Sequence, residues 1–284
     1  MVKIKKLNYL LFILLLFIIV LLFYPRDMSK NMDSDISNKI RIISQAHIFF
    51  GHQSVGGNIV SGLKKIYSES NQNDSVVEEL NDNSRLEGKY FVHTNIGNNG
   101  EPDSKFREFE NIVNKLSGKK LEIAMMKLCF VDINKNTKLE DVFNSYASMV
   151  DSTQKKYPNL TIVHFTVPLK SQPSFINKIK AIIKNRDIDD PQDNIARNRY
   201  NDLILSKYSN QFVFDLAKVE STYPDNTREF IIINGKPVYT LIKEYTDDGG
   251  HLNKMGQQII AENLIAKLAQ VITLRNTEKN LYRE

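Results

Sequence analysis

The chain has 284 residues, 42% of them apolar and 25% charged, with only 12 Gly and 8 Pro, a balance that excludes a disordered or fibrous protein. A single Cys excludes an intrachain disulfide framework and any multi-Cys zinc site. The net charge of +5 would by itself suit a nucleic-acid or membrane-surface partner, so its meaning depends on where the charges lie.

Lys3, Lys5, Lys6 and Arg26 supply four of those five charges, and they flank Leu7 to Tyr24, 18 residues without a charge. As a helix this segment is about 27 Å long, close to the hydrocarbon thickness of a bilayer. Residues 1–25 therefore read as a membrane anchor with its helix over 7–24. The basic flank places the N-terminus in the cytoplasm and the rest of the chain outside. Secretion after signal cleavage is the alternative, although Phe23-Tyr24-Pro25-Arg26 is a poor cleavage site. Residues 26–37 read as a polar linker, 38–275 as one near-neutral domain and 276–284 as a tail. No nucleic-acid partner is expected, because the remaining cations are not gathered into one patch.

Within the domain, strands alternate with helices. His47 to Phe50 is a short apolar run ending at Gly51, and Val55, Ile59, Val60, Leu63, Ile66 and Tyr67 follow at helical spacing. Tyr90 to Val92 reads as a strand, and a helix carrying Phe106, Phe109, Val113 and Leu116 stops at Gly118. Leu121 to Val131 reads as a buried strand, with Met125 and Met126 in the core and Cys129 as a small buried hydrophobe. A helix with Val142, Phe143, Tyr146, Met149 and Val150 on one face ends before Pro158, and Leu160 to Val167 is the next strand. Gln192 to Tyr208 reads as a helix, Phe212 to Leu216 as a strand, Phe230 to Leu241 as a hairpin around Asn234-Gly235, and Gly256 to Leu274 as the last helix. This alternation implies βαβ units and a parallel sheet, whose sites form at the carboxyl ends of the strands.

Three loops could meet there. In Gly51-His52-Gln53-Ser54-Val55-Gly56-Gly57, Ser54 stands at a strand-to-helix turn, where a nucleophilic hydroxyl is exposed and its own N–H is free. The plainer role for Ser54 is a helix N-cap, and His52 reads as loop structure. In Asp247-Asp248-Gly249-Gly250-His251, an i, i+3 spacing lets Asp248 hold the His251 imidazole as a base; an acidic helix start with an incidental His is the alternative. Asn95-Ile96-Gly97-Asn98-Asn99-Gly100 offers backbone donors for an oxyanion, or is simply a turn. No metal site is expected, since no other His/Asp cluster accompanies these loops.

The order of these three elements resembles the SGNH (GDSL-type) hydrolases over roughly residues 40–272. The resemblance implies a three-layer α/β/α flavodoxin-like fold with a central parallel sheet, here preceded by one transmembrane helix. It also implies a cofactor-free serine esterase, with Ser54 as nucleophile, His251 as base, Asp248 as its orienting acid and Gly100 as an oxyanion donor. The expected substrate is an ester of a carbohydrate or lipid. An O-acyltransferase using the same site is one alternative, and a non-catalytic glycan-binding or envelope-assembly protein is another. The family's G-D-S is here G-H-Q-S, and its G-x-N-D block is missing in that form. Laying Cys129-Phe130-Val131-Asp132 on that block puts Val131 where the oxyanion Asn belongs, and Asn134 is the nearest substitute.

Overall fold

The computed structural model describes residues 26–70, 77–81, 84, 86–172 and 191–281. The apolar segment 7–24 lies outside them; among the described residues no helix is long and apolar enough to cross a membrane. The elements in chain order are α1 (Arg26–Ile43), β1 (His47–His52), α2 (Ser54–Glu69), β2 (Val77–Glu79), β3 (Tyr90–Asn95), α3 (Pro102–Ser117), β4 (Ile123–Met126), α4 (Leu139–Lys156) and β5 (Thr161–Phe165). They continue with α5 (Pro191–Lys207), β6 (Val213–Phe214), α6 (Leu216–Glu220), β7 (Phe230–Ile233), β8 (Lys236–Tyr239) and α7 (Lys254–Leu281).

Among the described residues, six strands form one sheet in the order β2-β3-β1-β4-β5-β6, every pair parallel. With the short edge strand β2 set aside, the order is the flavodoxin-like one. Period-2 alternation sends Ile48 and Phe50 of β1 into one core and Phe49 into the other. The first core is closed by α1, α2 and α7 (Ile40, Leu63, Leu264), the second by α3, α4 and α5 (Phe109, Val150, Tyr200). The molecule is thus three layers, helices on both faces of a parallel sheet.

Several elements differ from the expectation. Residues 26–37 are not a linker but the first two-thirds of α1, because Ile36, Ile40 and Ile43 form a stripe packed into the core that α7 shares. The tail is likewise absorbed, as α7 runs on to Leu281. The run Leu121 to Val131 is strand only over Ile123–Met126; the chain then leaves the sheet, still buried, to build the site. After β6, Asp215 caps the short helix α6 by accepting the Lys218 N–H at 3.1 Å, so Phe212 to Leu216 is not one strand. The hairpin forms as expected, with Asn234 (φ 51°) and Gly235 (φ 75°) making the left-handed pair that a two-residue turn requires.

Candidate active site

Because every strand of the sheet is parallel, the segments after β1, β3, β4 and β5 all emerge at one edge. Ser54 stands there, exposed, as the first residue of α2, where its N–H has no intrahelical acceptor. The N-cap is Gln53, not Ser54, and it makes no side-chain cap. Instead Gln53 Nε2 donates to the carbonyls of Ile96 (3.0 Å) and Gly97 (2.7 Å), stapling the serine turn to the loop after β3. Close approach needs the glycines: a Cβ on Gly51 would come within 2.8 Å of Ile96, and Gly97 (φ 53°) has the Lys105 backbone at 2.5 Å from any added Cβ. His52 is structural, as expected. It is buried against His93 (Nε2···Nδ1 3.0 Å), and burial first, then the neighbouring His93, lowers its pKa to about 3.

The Asp248–His251 pair is formed. His251 Nδ1 lies 2.6 Å from Asp248 Oδ2, while Asp248 Oδ1 accepts the N–H groups of Gly250 (2.9 Å) and His251 (2.8 Å). Partial burial pushes the Asp248 carboxyl upward, but these bonds outweigh it and bring the pKa down to about 2. An ionised carboxylate only accepts, so the Nδ1 proton belongs to His251, which leaves Nε2 as the basic nitrogen.

Two contacts bring this pair to the serine. Leu252 N–H donates to Asn58 Oδ1 (3.1 Å), one helical turn along α2 from Ser54. The segment after β4 touches both partners: Cys129 Sγ lies 3.7 Å from Ser54 Oγ, and the Phe130 ring meets His251 edge-on at 5.6 Å. Gly250 permits that packing, because a Cβ there would meet Phe130 at 2.9 Å. No hydrogen bond joins Ser54 to His251 in this structure.

Of the two expected oxyanion donors, Gly100 has its N–H engaged elsewhere and Asn134 is fixed in a local turn. Gly100 N–H donates to Asp132 Oδ1 at 2.7 Å, so its proton is engaged. Asn134 closes a local turn, its N–H on Thr137 Oγ1 and its Oδ1 accepting from Asn136 N–H, both at 2.9 Å. Asp132 is the residue that sequence reasoning undervalued. Fully buried, it also accepts Cys129 N–H (2.6 Å) and pairs with the fully buried Lys105, which in turn donates to Asn99 Oδ1 at 3.0 Å. It thereby ties the loop after β3 to the loop after β4. The only trace in sequence was its place as the acid of the altered third block. Among the described residues, no group of three or more His, Cys, Asp or Glu could hold a metal ion.

No family model matches the chain, and no curated protein matches it. Among solved structures it is similar to a carbohydrate esterase family 3 protein from Talaromyces cellulolyticus, at 16% identity, covering 80% of this chain and 97% of that one, with a TM-score of 0.46. It is also similar to an acetyl esterase variant with an acetate ion, at 16% identity, 80% and 97% coverage and a TM-score of 0.45.

Proposed function

We propose that the chain is a serine esterase acting through an acyl-enzyme at Ser54. The observation that carries this reading is the 2.6 Å Asp248–His251 pair, held by Asn58 and Phe130 beside an exposed Ser at a helix start. In the proposed reaction His251 Nε2 takes the Ser54 proton as Oγ attacks the ester carbonyl. The Ser54 N–H and the positive end of the α2 dipole face the oxyanion. His251 then returns the proton to the leaving alcohol, and water releases the acyl group by the same steps.

The proposed substrate is an O-acyl, most simply O-acetyl, ester on a carbohydrate or envelope polymer. Its support is the basic flank and apolar segment at residues 1–26, which suit a domain held outside the cytoplasm, together with the resemblance of the three loops to the SGNH hydrolases. The test is hydrolysis of p-nitrophenyl acetate by the wild type and by Ser54→Ala. Loss of turnover with an unchanged circular dichroism spectrum is expected, and turnover retained in Ser54→Ala overturns the mechanism. The engaged Gly100 N–H and the unmade Ser54–His251 bond favour a second reading, a binding protein on the same fold. An inert wild type in the same assay and toward a fluorophosphonate would remove the esterase reading in its favour.

A further inference from the structure

Lys127 is buried at 1% exposure, yet among the described residues no carboxylate pairs with its Nζ. It follows directly on β4, where its N–H extends the ladder to Gly51 O at 3.2 Å, beside the turn that carries Ser54. Its ammonium donates to Leu128 O at 3.1 Å and lies 3.7 Å from Cys129 Sγ. The same sulfur lies 3.7 Å from Ser54 Oγ. Cys129 is buried, as its sequence setting suggests, but its thiol faces the nucleophile.

We infer that Lys127 and Cys129 form a relay that orients the Ser54 hydroxyl for His251. This rests on the esterase reading of Ser54. With Lys127 as the ammonium, its nitrogen only donates, so its contact with Sγ uses a sulfur lone pair. The single thiol hydrogen is then directed to Ser54 Oγ, which accepts it. An oxygen that accepts from Cys129 on one side keeps its own hydrogen for the other, toward His251 Nε2. The one proton that moves is that of Ser54, which passes to His251; Lys127 and Cys129 are positioning residues, and nothing is oxidised or reduced. Burial, its largest influence, lowers the Lys127 pKa, and the nearby Lys105 lowers it further, while the Asp132 carboxylate opposes them.

The experiment compares kcat and KM for p-nitrophenyl acetate, and the rate of fluorophosphonate labelling, in Cys129→Ala, Cys129→Ser, Lys127→Met and the Lys127→Met/Cys129→Ala double variant. Cys129→Ala should lower kcat by about three- to tenfold with KM unchanged, the size of one lost hydrogen bond. Cys129→Ser should restore part of it, since a hydroxyl can accept from Lys127 and donate to Ser54 but stands on a shorter bond than the thiol. The double variant should be no slower than the slower single one, because Lys127 acts through the sulfur. Wild-type kcat in Cys129→Ala, or a Lys127→Met loss that multiplies fully in the Cys129→Ala background, overturns the relay alone. If Lys127→Met does not fold, the Cys129→Ala and Cys129→Ser pair decides by itself. A wild type that a fluorophosphonate leaves unlabelled overturns the esterase reading and the relay together.

Discussion

Asp132→Asn is nearly isosteric, yet it should be among the most damaging single changes in the chain. The native carboxylate accepts from Gly100 N–H (2.7 Å), Cys129 N–H (2.6 Å) and Lys105 Nζ, with both charged side chains at 0% exposure. An amide keeps one acceptor oxygen and turns an NH2 group toward donors that cannot accept from it. It also leaves the buried Lys105 ammonium without its carboxylate. Removing one partner of a buried pair costs about 3–5 kcal/mol. A domain of this size loses about 2–4 °C of melting temperature per kcal/mol, so the midpoint should fall by about 6–20 °C. A thermal melt followed by circular dichroism reads this directly. Adding Lys105→Met removes the stranded charge and should recover a substantial part of the loss. An Asp132→Asn protein melting within about 2 °C of the wild type would refute the assignment of Asp132 as the tie between the two site loops.

Asp248→Asn should lower kcat/KM for p-nitrophenyl acetate by about two to four orders of magnitude with little effect on stability, because the amide can present its NH2 to Nδ1 and fix the wrong tautomer. Since Asp248 is held down to about 2, the wild-type rate profile should show no separate step across the ordinary carboxylate range, near pH ~4; a distinct step there would contradict the pair. Glu220 gives a stability test of opposite sign. Burial raises its pKa to about 8, partly offset by the Leu169 N–H and by Lys127. The folded protein therefore keeps this proton up to about 8, whereas the unfolded chain releases it above its ordinary range of ~4.5. Its contribution to stability is complete at low pH and is lost as pH rises through that window. Glu220→Gln should melt above the wild type at pH 8 and lose that advantage toward pH 5, as measured by paired melts; an advantage that does not change with pH would contradict it.

What was legible in the sequence was local. The stripe from Val55 to Tyr67 gave α2, and the Asn234-Gly235 signal gave the hairpin, because periodicity and turn chemistry act over a few residues. The Asp248–His251 pair was legible for the same reason, since three residues of chain determine its geometry. The run Leu121 to Val131 was over-read as strand because burial continues past Met126, and apolar content does not distinguish a sheet strand from a buried loop. In α1 the polar composition hid the Ile36, Ile40 and Ile43 stripe, whose helix depends on packing against α7 more than on its own propensity. The Gly100 N–H is engaged for a non-local reason. Whether the Gly100 N–H is free depends on a carboxylate 32 residues away, and nothing near Gly100 announces it. The Gln53 staple and the Lys127–Cys129–Ser54 chain are long-range in the same sense: each joins segments brought together only by the order of the strands.

The central claim is that Ser54 is a nucleophile activated by His251. Its most direct test is labelling of the purified protein with a fluorophosphonate, followed by mass spectrometry of the modified peptide. The expected result is one adduct on Ser54, absent in Ser54→Ala and formed at least about tenfold more slowly in His251→Ala. An unlabelled wild type, or an adduct on another residue that persists in Ser54→Ala, would contradict it.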